Sequence, residues 1–112
     1  MALSFAAGTV MEHAVTTAIA DGVACRKPDA GALGLVRAGV DRIVRVTDAE
    51  VEEAMRAWFA DTHQVVEGAG AIGLGALLQE RRNGVVGIGA RVGLVISGGN
   101  VDSDVFARVL AG

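Results

Sequence analysis

Apolar positions along this chain recur at two spacings, one helical and one extended. From Thr47 onward the spacing is helical: Val51, Met55, Trp58, Phe59 and Thr62 recur at offsets of four, seven, eight and eleven, with Glu52, Glu53, Arg56 and Asp61 opposite. Thr47-x-x-Glu50 matches a capping box, so a helix starts there, and its Met and aromatic stripe is core. Small residues at nearly every other place across 65–78, running into Leu74, Leu77 and Leu78, describe a second helix pressed against another backbone. Arg81-Arg82-Asn83-Gly84 closes it with cations and a glycine. A third helix follows Asp102 or Ser103 as cap, with Val105, Phe106, Val109 and Leu110 on its apolar side. Shorter helical candidates lie at 1–8, 16–24 and 31–40, and Arg26-Lys27-Pro28-Asp29 is a turn.

The extended spacing appears twice. Residues 41–46 alternate as a short strand with one wetter face, and 85–90 is a glycine-spaced linker or short strand. Residues 92–96, rich in β-branched side chains and stopped by two glycines, read as a buried parallel-type strand. The expected class is therefore α/β, with parallel strands flanked by helices. Ser97 falls where such a strand runs out, which is where open α/β sheets hold ligands.

Length and composition narrow the picture. A chain of 112 residues favours one domain, here a partial one, with no inter-domain linker. With 52% hydrophobic residues and 16 glycines, polar cover is thin, and a lone copy exposes apolar area that seeks a partner. A net charge of -3 with basic residues scattered singly or in pairs gives no nucleic-acid surface. The single Cys25 excludes an intrachain disulfide framework and fits a reducing, cytoplasmic setting. The apolar opening carries Glu12 and His13 and lacks a basic start, so it is no signal peptide; no apolar run spans a bilayer.

Several chemistries fail on spacing. His13 and His63 lie on different elements with no ligand cluster beside either, so no metal is expected. Ser97, His63 and Asp102 make a triad only on paper, because the nucleophile elbow is missing. Gly68-x-Gly70-x-x-Gly73 formally matches a dinucleotide fingerprint but lacks a strand of useful length before it. Lys27, the sole lysine, stands in a polar turn where nothing would desolvate it into a nucleophile. Glu67, just before the glycine-rich helix, is suited to interact with that helix's exposed amides.

Three stretches, taken in order, resemble one family. They are Ala20-Asp21-Gly22-Val23-Ala24 followed by Pro28, then Val66-Glu67-Gly68-Ala69-Gly70-Ala71, then Ser97-Gly98-Gly99-Asn100-Val101-Asp102, with 41–48 between the first two. Together they look like the C-terminal part of the fold-type II pyridoxal-phosphate enzymes, whose fold is that of the tryptophan synthase β chain. The nearest group is the threonine/serine dehydratases with their serine racemase relatives.

The resemblance implies pyridoxal 5'-phosphate as cofactor and an amino acid as substrate of the complete enzyme. Ser97 matches the serine whose hydroxyl meets the cofactor's pyridine nitrogen, and Glu67 matches the glutamate lining the ring. Gly68 lies beside it, and Gly98, Gly99 and Asn100 shape the loop under the ring; Asp21-Gly22 looks structural. The family's cofactor-bearing lysine, substrate-carboxylate loop, phosphate loop and acidic cation site have no match here, so no catalytic residue is assigned and Lys27 does not replace the lysine. The chain is expected to be inactive alone and to work with a missing N-terminal half or as a homo-oligomer. The rival expectation is a non-catalytic module that binds a partner or ligand.

Overall fold

The capping box at Thr47 forms as the sequence predicts. In the computed structural model, which describes all of residues 1–112, the Glu50 amide donates to the Thr47 hydroxyl at 3.3 Å. The Thr47 amide in turn donates to the Glu50 carboxylate at 2.7 Å. The helix it starts is one of five: α1 (Ala2–Ala7), α2 (Ala30–Gly39), α3 (Asp48–Thr62), α4 (Gly68–Arg82) and α5 (Ser103–Ala111). A single 3-10 turn, Asp21–Val23, precedes α2.

The chain divides into two units, one made of Met1–Thr16 with Ala24–Arg45, the other of Thr17–Val23 with Val46–Gly112. In the first, α1 packs on α2 around buried Ser4 and Leu33. The Ser4 hydroxyl accepts from the Met11 amide at 2.8 Å, which satisfies a polar group that would otherwise be costly to bury. Gly8, at φ 74, closes α1 in the left-handed region, and the Asp29 carboxylate caps α2 by accepting from the Ala32 amide at 2.8 Å. Lys27 and Cys25 are exposed in this unit.

The second unit holds the larger core. Val51, Ala54 and Met55 of α3 meet Ala71 of α4, Val109 of α5 and Val66, with Trp58, Ile72, Leu74 and Phe106 packed around them. Helices α3 and α4 run antiparallel, for Gln79 and Arg82 near the end of α4 reach Glu50 and Glu53 near the start of α3. Gly75 permits the close approach, since a Cβ there would stand 3.2 Å from the Glu50 carbonyl oxygen. The α3 stripe is core at Val51 and Met55, while Phe59 is 37% exposed and meets Phe106 edge-on at 5.5 Å.

No strand is present. Residues 41–46 and 92–96, predicted as strands, belong to no hydrogen-bonded ladder, and 85–90 is turn and irregular chain. The parallel sheet expected from the sequence is therefore corrected. A β-branched apolar run states which residues would suit a pleated surface, but only a neighbouring backbone makes a strand, and none lies alongside. Val95 is accordingly 83% exposed. Residues 16–24 are also no helix beyond the 3-10 turn, because Thr17 is drawn to Asp48 rather than to a helical register. No helix is long and apolar enough to cross a membrane.

Candidate functional site

The segment leading into α4 meets the glycine-rich loop ahead of α5. The Glu67 amide donates to the Gly98 carbonyl at 3.1 Å, and Val66 beside it is fully buried, which anchors the start of α4. A Cβ on Gly98 would collide with the Glu67 carboxylate. One on Gly70 would stand 2.7 Å from the Gly98 carbonyl oxygen, and one on Gly99 would stand 2.6 Å from that of Val65. These glycines are required by the approach of backbone to backbone rather than by turn geometry.

Beside this contact lies a cavity of about 400 Å³. Glu67, Gly68 and Ala69 form one wall, Asn100, Val101, Asp102 and Val105 a second, and Ala18, Ile19, Asp21 and Gly22 a third. Gly68 and Gly22 let the third wall close on the first: a Cβ on Gly68 would overlap the Ile19 carbonyl, and one on Gly22 would lie 2.9 Å from the Ala69 Cβ. The cavity also opens on the first turns of two helices. Neither Glu67 before α4 nor Asp102 before α5 bonds its side chain to the helix, so neither acts as the side-chain cap that the sequence suggested.

The charged residues of the walls, Asp21, Glu67 and Asp102, are all acidic, and no lysine or arginine is among them. A phosphate would find no cation here, whereas an uncharged aromatic ring with a hydrogen-bonding edge suits walls of glycine, alanine and valine. Of the residues singled out from the sequence, Glu67, Gly68 and Asn100 line the cavity. Gly98 and Gly99 do not line it but build the contact behind Glu67. Ser97 is exposed, one residue from the Gly98 carbonyl that holds Glu67.

The other chemistries stay dispersed. Lys27 belongs to the other unit, His63 ends α3 in the left-handed region at φ 59, and no cluster of His, Cys, Asp and Glu is arranged to hold a metal ion. Two glycines of the apparent dinucleotide fingerprint, Gly68 and Gly70, are used in packing. The 18–22 wall falls in the 16–24 stretch expected as a short helix, where the sequence gives Asp21-Gly22 only a structural part. The signal for it was Asp21-Gly22, whose glycine is needed against Ala69.

Comparison with known proteins points to one family. The family described as "Pyridoxal-phosphate dependent enzyme" matches residues 1–98. The chain is 38% identical over 95 residues to an L-threonine ammonia-lyase of Geobacter sulfurreducens, covering 85% of this chain and 23% of that protein. It is 34% identical over 109 residues to an L-threo-3-hydroxyaspartate ammonia-lyase of a Pseudomonas species, covering 97% and 33%. Maize serine racemase superposes with a TM-score of 0.81 at 30% identity, over 98% of this chain and 35% of that one. The chain thus spans a third or less of the length of these curated relatives. On the match over residues 1–98, it belongs to the pyridoxal-phosphate-dependent enzyme family.

Proposed function

We propose that this chain builds the ring side of the cofactor site in a pyridoxal-phosphate-dependent ammonia-lyase acting on L-threonine or L-serine. The observation that carries the reading is the Glu67 amide to Gly98 carbonyl bond, which joins the two family motifs beside one cavity. The walls fit a heteroaromatic ring and not its phosphate, which an N-terminal portion would hold together with the lysine this site lacks. That portion comes in the same polypeptide or as a separate one, and the whole assembles as a homo-oligomer. A free, exposed Cys25 suits the reducing cytoplasm.

Bound pyridoxal phosphate would supply the electron-withdrawing ring that eases removal of a substrate's α-proton and loss of its β-hydroxyl, leading to a 2-oxo acid and ammonia. The Ser97 hydroxyl, exposed and outside the lining of the cavity, would be the group to meet the ring nitrogen. Being neutral, it does not hold a proton on that nitrogen as a carboxylate would, so the ring stays a moderate electron sink. The Glu67 carboxylate, which lines the cavity with Gly98 close behind it, would line the ring. Gly68 and Asn100 line the cavity beside Glu67, where small or short side chains allow a flat group close to the backbone, and Gly99 supports the loop from behind.

The exposed, unpaired run 92–96 favours a second reading, a non-catalytic module that binds a partner chain along that run. A chimaera separates the two. This chain replaces the matching segment of the Geobacter sulfurreducens enzyme, and 2-oxobutanoate formation from L-threonine is assayed. The expected result is turnover that Ser97→Ala lowers at least tenfold. A folded, cofactor-loaded chimaera that is inactive, or indifferent to Ser97→Ala, rejects the assignment.

A further inference from the structure

We infer that Asp48, acting through Thr17, is a positioning residue that sets the 18–22 wall of the cavity; this rests on reading the cavity as part of the cofactor site. The wall contributes Ala18, Ile19, Asp21 and Gly22, yet its only regular structure is one 3-10 turn. A single turn has no stability of its own, so its position is decided by what ties it down.

The tie is a carboxylate clamp. Asp48 turns both oxygens on this segment: the Thr17 hydroxyl donates to Oδ1 at 2.6 Å and the Ala18 amide donates to Oδ2 at 2.7 Å. The Thr17 oxygen passes the constraint on, accepting from the Ala20 amide at 3.0 Å and the Ile19 amide at 3.3 Å. Bonds this short to an ionised carboxylate are the stronger class. Their anchor is the first residue of α3, held by the capping box and by the fully buried Met55 further along. The segment then has one register on α4, because Gly68 admits the Ile19 carbonyl and Gly22 admits the Ala69 methyl. Asp48 itself does not line the cavity. Its part is to hold Gly22 and Asp21 in place against Ala69 and Glu67, on the opposite wall of the cavity.

The test uses the full chain and three substitutions. Asp48→Asn keeps the shape and removes the charge, Thr17→Val removes the hydroxyl, and Thr17→Ser keeps it. Amide hydrogen exchange is expected to rise at least tenfold at Ala18, Ile19 and Ala20 in Asp48→Asn and Thr17→Val, with Met55 and Ala71 unchanged and Thr17→Ser protected as in the parent. In the chimaera described above, whose remaining part supplies the phosphate-holding portion, pyridoxine 5'-phosphate is expected to bind at least tenfold more weakly with the first two substitutions and unchanged with the third. Unaltered exchange in Asp48→Asn overturns the clamp, as does a rise spread evenly over the core amides. If exchange behaves as expected but the parent chimaera does not bind pyridoxine 5'-phosphate, the cofactor reading falls and the clamp stands. If the parent binds it and Asp48→Asn binds it equally well, the clamp has no part in the site.

Discussion

The amide of Glu67 donates to the carbonyl of Gly98 at 3.1 Å, and the space that a side chain on Gly98 would occupy is filled by the carboxylate of Glu67. One residue is thus held from both ends by the same glycine. Gly98→Ala must displace that carboxylate or part the two loops, at about 1–3 kcal/mol as for other overpacking. The urea midpoint reports it. Gly93→Ala, with open space around the new methyl, serves as the control and should leave the midpoint within about 0.5 kcal/mol.

Met55 is fully buried between α3 and its neighbours, so truncation leaves a hole that its surroundings fill only in part. Met55→Ala is expected to cost about 2–5 kcal/mol. Leu35→Ala, at a residue 78% exposed, should cost far less. Equal losses at the two positions would contradict the core described above.

Stability should fall in acid through Glu50. The Thr47 amide holds its carboxyl below the usual 4.5, helped by the Gln79 side chain, the Thr47 hydroxyl and the Arg82 guanidinium, against a smaller opposing effect of burial. A folded-state value below the unfolded one means a contribution fully present above pH 4.5 and lost as pH drops through the depressed value. Glu50→Gln should therefore flatten the acid limb of a stability profile followed by denaturant unfolding. It should also lower stability near neutrality, where the capping box is intact.

Helix α5 is fastened to α3 by two arginines. The Arg56 guanidinium donates to the Val109 carbonyl at 3.0 Å, and Arg108 pairs with Glu52 at 3.0 Å. The first adds a donor to a last-turn carbonyl whose backbone bond, from the Gly112 amide, is long at 3.4 Å. Arg56→Met keeps much of the apolar stem and should cost about 1–2 kcal/mol. Amide exchange should quicken across 105–111 before it does in α4. Arg108→Ala, an exposed pair, should change stability by less than about 1 kcal/mol.

How much of this was legible before folding can be followed residue by residue. Thr47 and Glu50 announced α3 because a capping box is local: both partners lie within one turn. Val51 and Met55 announced the core face, since their spacing alone brings them to one side. Of the residues singled out by resemblance of motifs, Glu67, Gly68 and Asn100 line the cavity, while Ser97, Gly98 and Gly99 do not. Asp21 and Gly22 were visible too, but nothing local distinguished a turn from a wall. That distinction depends on Asp48, 31 residues from Thr17, and on Ala69.

The sequence by itself determined α3 with its capping box, the stretches that become α4 and α5, and the Val51 and Met55 core face, because those depend on neighbours within a few residues along the chain. Only the tertiary structure decided that 92–96 stays unpaired, since a strand exists by virtue of a second backbone that the run does not encode. It also decided which glycines matter. Gly98 and Gly68 look like Gly93 in the sequence, and only the chain packed against them makes a missing side chain a requirement.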